Sequence, residues 1–252
     1  MRVSRVGFAA VKGTRHLTRG SIRVTTGGVE GDRAYAVADP STGQVLRTVQ
    51  HPALARVEAE VAGDRLCLRM PDGTEVKGST ERTGPPVTGD YWGREAALHP
   101  LDGTLDGAVS AFLGRPAVVV AVDPGVAVWG AAVSMLTTGT LARLEAGLRL
   151  EGIDVPRDLA ERFRASVVLE AESDPSSGQR LRVGSAVVEV VGPIDRCAVI
   201  DADPVGGNRR PGILTALGPL GFVDAAGSPV FGVDARVLEA GSVAPGDLVI
   251  HG

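Results

Sequence analysis

The chain has two cysteines, Cys67 and Cys197, and only one of them stands among groups that could make it reactive. Cys197 follows Asp195 and Arg196 in VVGPIDRCAVIDADPVGG, at the edge of an apolar strand and ahead of a polar turn. A guanidinium beside a thiol favours the thiolate, the form that ligates metals and attacks electrophiles. By itself the segment is also what a buried strand cysteine beside a surface arginine looks like. Asp195 next to Arg196 reads as an ion pair. Cys67, between Leu66 and Leu68, is expected to be an inert strand residue. Three further cations sit at turns: Lys12 in AAVKGTR, Arg33 in GGVEGDRAYAV and Arg164 in ERFRASVVLE. Singly, each reads as a solvated surface charge. If they converge, they make a pocket for phosphate or pyrophosphate, which arginine grips bidentately.

Composition limits what can position these groups. With 252 residues, 44% hydrophobic and 22% charged, the chain is long enough for one large domain or two modest ones with real cores. Its 34 Gly and 16 Pro, in a Val-rich background, predict many short strands joined by tight turns. Aromatic residues make up only 4%, so Val, Leu and Ala must fill the cores. A net charge of -4 speaks against a nucleic-acid partner. Two cysteines are too few for a disulfide framework. Neither a signal-like start nor a run of ~20 apolar residues is present, so a cytoplasmic protein without a membrane partner is expected.

The fold class expected is mainly β (α+β), with a few short helices. Strands are predicted in VSRVGFAAV, AYAVAD and VLRTV, and a hairpin in ARVEAEVAGDRLCLRM around Gly63-Asp64. YWGREAALHPL resumes strand character, DGAVSAFLG reads as a helix closed by Gly114, and PAVVVAV as a buried strand. The pattern breaks between Asp123 and Gly130, giving expected units of 1-122 and 123-252. The second opens with a helix in TTGTLARLEAGLRL capped by Thr137 or Thr138, and a short helix in VPRDLAERF with Pro156 in its first turn. Val-rich strands follow, up to CAVI and on to GDLVIHG, as in a barrel or closed sandwich.

In this order the chain carries VKG, GDRAYAVAD, LGRP, TTGTLARL, RFRASVV, DRCAVIDADPVGG, FGVDARVLEAG and VAPGDLV. This set resembles, nearly end to end, the MOSC family with an added N-terminal β domain. That group includes the mitochondrial amidoxime-reducing component and the C-terminal region of molybdenum-cofactor sulfurases. The resemblance implies an N-terminal β-rich domain followed by a MOSC β-barrel, and a molybdenum cofactor (molybdopterin) whose metal is bound by Cys197. It further implies cofactor contacts from Lys12, Arg33, Thr137, Thr138, Arg164, Ser166 and Arg196, with Asp195 beside the metal. The chain departs from the family pattern at Gly13, Ser166, Asp195 and Asp234, and at Val49, with Arg47 two residues before it. The implied activity is reduction of N-hydroxylated or N-oxide compounds. No CxxC and no GxGxxG after a strand is present, so separate electron-transfer proteins would be needed. Two other readings stay open: a cofactor carrier or sulfur-relay protein, and a degenerate MOSC fold that binds another ligand.

Overall fold

The computed structural model describes all residues, Met1–Gly252. Its first half holds β1 (Arg2–Phe8), β2 (Leu17–Arg19), β3 (Ile22–Thr25), β4 (Gly28–Val29), β5 (Tyr35–Ala38), β6 (Glu58–Ala62), β7 (Arg65–Arg69), β8 (Glu75–Ser79), β9 (Val87–Tyr91), β10 (Arg94–Pro100), α1 (Asp106–Leu113) and β11 (Val118–Val122). The second half holds β12 (Val133–Thr137), α2 (Thr138–Leu150), α3 (Leu159–Arg162), β13 (Val167–Glu170), β14 (Arg180–Val183), β15 (Ala186–Asp195), α4 (Ile213–Leu217), β16 (Val230–Glu239), β17 (Gly241–Val243) and β18 (Val249–His251). The fold is β-rich α+β, as its composition predicts.

An eight-stranded sheet runs β18-β14-β15-β16-β12-β13-β1-β2. Val3 N–H donates to Asp247 O at 2.9 Å and Val249 N–H to Met1 O at 2.9 Å, so the last strand meets the first and the sheet closes on itself. Its interior is almost wholly Val, Leu and Ala, joined by Ile22 and the fully buried Met135. Strands β5–β11 form two sheets of their own, in the orders β5-β11-β10-β9 and β6-β7-β8. β1–β4, in contrast, pair into the second half: β1 with β13, and β3 with β17. The two halves are therefore knitted together through the first 29 residues, and the segments that leave β1 and β4 run along the junction.

Several expected elements differ. VLRTV makes only a single bridge, Val45 to Ala38, before a turn. Pro156 lies outside α3, which spans one turn after Asp158. CAVI is a 3-10 turn, Ala198–Asp201, not a strand. YWGR is a hairpin turn between β9 and β10. Of the two candidate caps for α2, Thr137 is the one, its Oγ1 accepting from Thr140 N–H at 3.3 Å. Gly114, at φ 65°, ends α1 in the left-handed conformation that glycine adopts without cost.

One glycine links packing to the site. Gly232 on β16 has φ +71°, and a Cβ there would lie 2.3 Å from Leu136 Cδ2 and 2.6 Å from Met135 O. Gly232→Ala should cost about 2–4 kcal/mol, from left-handed strain plus overpacking, read as a lower urea midpoint.

Candidate functional site

A cavity of about 310 Å³ opens where the two halves meet. Lys12, Arg33, Arg47, Arg164, Arg196, Asp195 and Cys197 all line it, with Thr48, Tyr91, Trp92 and Trp129 among the others. Side chains dispersed from residue 12 to residue 197 thus share one space.

Local structure explains their placement. Segments 9–12 and 32–35 zip together through Arg33 N–H to Ala9 O at 2.7 Å and Lys12 N–H to Tyr35 O at 2.7 Å. That pairing presents Lys12 and Arg33 side by side. Arg164 stands where α3 hands over to β13, and Cys197 just past the end of β15, ahead of the 3-10 turn. Three non-glycine residues in the chain have positive φ: Arg33 at 49°, Trp92 at 60° and Arg164 at 55°. All three line this cavity. Left-handed backbone costs an ordinary residue on the order of 1 kcal/mol and persists where surrounding structure enforces it, commonly at binding sites.

The lining side chains carry five cations against one carboxylate, Asp195. Arg33 is paired with Asp32. Arg196 is spent on backbone: Nε and Nη2 donate to Phe231 O at 2.8 and 2.6 Å, and Nη1 to Phe163 O at 3.0 Å. The guanidinium is thereby turned from Asp195, and the two form no ion pair, contrary to the pairing their adjacency allows. Arg164 is different. Its Nη2 is buried without a partner, as is Nε of Arg33. Burial, then the field of Arg33, pushes the Arg164 guanidinium down to about 10, still charged at neutral pH. Burial followed by Arg33 and Arg164 holds the Lys12 ammonium well below its ordinary value. A buried cation without a counter-ion is costly. Several facing one cavity make a receptor for an anion.

Cys197 is exposed to the cavity. No cluster of three or more His, Cys, Asp or Glu exists that could hold a bare metal ion. A metal at Cys197 would have to bring its remaining ligands with it.

Other expected contacts fall elsewhere. Thr137, Thr138 and Ser166 do not line the cavity. The Thr137 hydroxyl donates to Asp174 at 2.9 Å, that of Thr138 faces Ala171 O at 3.4 Å, and Ser134 Oγ accepts from Ser166 N–H at 3.1 Å. These groups are satisfied within the barrel wall and α2 cap. Cys67 lies half-buried on β7, across from Glu60 and Lys77. Trp92 and Trp129 were not singled out by residue chemistry, although each stands in a Trp-Gly pair. A larger groove of about 500 Å³ runs beside the site. Its charged residues are already paired, Arg23 with Glu30 at 3.5 Å and Asp32 with Arg33.

Beneath the site lies His16, 4% exposed, with Nε2 unpartnered and Nδ1 3.4 Å from Arg5 Nη2. Burial first, then Arg164, Arg5, Arg33 and Arg19, holds its pKa well below the usual imidazole value. The unfolded chain therefore takes up this proton at a higher pH than the folded one. Stability falls as pH drops below ~6.5, by about 1.4 kcal/mol per pH unit from this residue, until the folded pKa is reached. His16→Gln should flatten that limb by one proton in urea denaturations at pH 7, 6 and 5.

No helix is long and apolar enough to cross a membrane. Among known proteins, the chain is similar to the YUAD protein of Bacillus subtilis, at 15% identity, 98% of this chain, 93% of that chain and TM-score 0.46. It is also similar to YiiM of Geobacillus stearothermophilus, at 19% identity, 48% of this chain, 54% of that chain and TM-score 0.36. No curated protein matches. Residues 1–115 match the model of the MOSC N-terminal beta barrel domain and residues 117–250 that of the MOSC domain. Between them these models span nearly every residue, and the chain belongs to the MOSC family, whose domains are associated with molybdenum-cofactor binding.

Proposed function

We propose that the protein binds molybdenum cofactor in the cavity at Cys197 and reduces N-hydroxylated or N-oxide compounds with electrons from separate donor proteins. The observation that carries the reading is one exposed thiol facing a cavity in which the buried Arg164 guanidinium has neither an ion-pair partner nor a hydrogen bond to Nη2. Those residues fit a phosphate-bearing group that brings a partly ligated metal. Cys197 would hold the metal, while Lys12, Arg33 and Arg164 would hold the anionic part. When bound, the cofactor supplies the two-electron removal of oxygen.

The chain's own residues orient and exchange protons. Arg196, clamped on the carbonyls of Phe163 and Phe231, fixes the strand end that carries Cys197. Asp195, exposed in the lining and without an ion pair, would pass protons between solvent and the cavity. Converting N–OH to N–H consumes two electrons and two protons and releases water, so such a group is needed.

The test is turnover of an N-hydroxylated compound and an N-oxide by metal-loaded protein, with chemically reduced viologen as electron source. Consumption of either supports the reading. Inertness toward both, at stoichiometric molybdenum, overturns the reductase. A second reading, cofactor carriage, draws on the exposure of Cys197. Molybdenum that stays on the protein through repeated incubation with an apo-enzyme eliminates it.

A further inference from the structure

The chain has two tryptophans, and both line the mouth of the Cys197 cavity. Trp92 is 42% exposed and Trp129 59%, with ring centroids 5.8 Å apart and planes at 50°. A lone exposed tryptophan needs no explanation. This pair does, because the fold holds each ring in place at some cost.

Trp92 and Gly93 form the two-residue turn between β9 and β10, with φ of 60° and 74°. Such turns favour Asn or Gly at the first position, and tryptophan there is strained. Trp129 is tethered on both sides. Arg94 Nη2 donates to Val128 O at 3.3 Å, and Ala131 N–H donates to Asp234 Oδ2 at 2.9 Å. Gly130, at φ +95°, lies against the Asp234 carboxylate, where a Cβ would come within 2.3 Å. Asp234 thus anchors the segment that displays Trp129.

Cations surround the pair. Arg47 stacks over Trp92 at 4.2 Å, and Arg94 lies 5.3 Å from the Trp129 ring and 5.1 Å from Tyr91. Lys12 approaches Tyr91 at 5.1 Å from within the cavity. Asp195 is the lone carboxylate of the lining. Rigid aromatic faces with a cationic surround select a flat ring and favour negative charge on it.

We propose that Trp92 and Trp129 form a stacking subsite for a planar aromatic acid, the substrate class admitted to the cavity. As a substrate subsite it rests on the reductase reading; as a binding site it does not need the metal.

Calorimetric titration of the full chain, with and without molybdenum, uses three probes: 2-naphthoate, its saturated analogue decalin-2-carboxylate, and 2-naphthyltrimethylammonium. Naphthoate should bind about tenfold or more tighter than either of the others. Trp92→Ala and Trp129→Ala should each weaken it about fivefold, while Trp→Phe at either position retains most of the affinity and shows that loss of the ring, not unfolding, is responsible. Equal affinity for naphthoate and its saturated analogue, no naphthoate binding, or unchanged affinity in both alanine variants overturns the subsite. The two proposals fail separately. Naphthoate binding without turnover removes the reductase alone, whereas equal kcat/KM for aromatic and saturated N-hydroxy acids removes the subsite alone.

Discussion

Cys197→Ala, purified from a cofactor-producing host, should retain less than about a tenth of the molybdenum found in wild type. Loss of an outer hydrogen-bond partner typically weakens a metal site 10–100-fold, and loss of the protein ligand proposed for it should exceed that. The fold should not suffer. Cys197 is exposed, and its side chain makes no capping hydrogen bond to the 3-10 turn it precedes. Metal-free wild type and variant should therefore agree in stability to within about 0.5 kcal/mol, the usual range for a surface change. Molybdenum per chain by mass spectrometry, beside a urea denaturation, reads both quantities. Equal metal in the two proteins would move the metal away from Cys197.

Arg164→Gln should change binding and stability in opposite directions. The guanidinium is buried, Nη2 has no partner, and the neighbouring Arg33 repels it. Without ligand that arrangement costs free energy, so the variant should be more stable than wild type by about 1 kcal/mol in metal-free form. With ligand the sign reverses, because a charge-assisted contact to the anion is lost and cofactor retention should fall about 10–100-fold. Inorganic phosphate offers an independent reading. It should raise the melting temperature of metal-free wild type in a concentration-dependent way, and that of the variant much less. A destabilised metal-free variant would mean that Arg164 serves the fold, and the anion receptor would have to be assigned elsewhere.

Much of the frame was readable from residue order. The hairpin at Gly63-Asp64 is where alternating apolar residues around a turn dictate it. Helix α1 ends at Gly114 as its left-handed preference requires, and β11 is buried because VVVAV has no polar face to expose. Errors cluster where tertiary contacts override local pattern. VLRTV has strand composition, yet it makes only the Val45 bridge and the Leu46 N–H bond to Val37 O before Arg47 and Thr48 turn into the cavity. CAVI has strand composition too, but β15 stops at Asp195, where its pairing with Val230 ends.

For the site, residue types and their neighbours mark which groups could do chemistry: one thiol in polar company, and cations at turns where their heads can leave the backbone. Through the ordered motifs it also carried the family. That Lys12, Arg33, Arg164, Arg196 and Cys197 meet follows from long-range pairing, because β1 joins β13 and brings the first segment against the second half of the chain. The same pairing keeps Thr137 and Ser166 buried in the wall and Thr138 at the exposed start of α2, and it brings Trp92 and Trp129 to the cavity with Asp234 behind the Trp129 segment. Turn and strand preferences act over a few neighbours, whereas a binding site depends on which sheet edges pair across the whole chain.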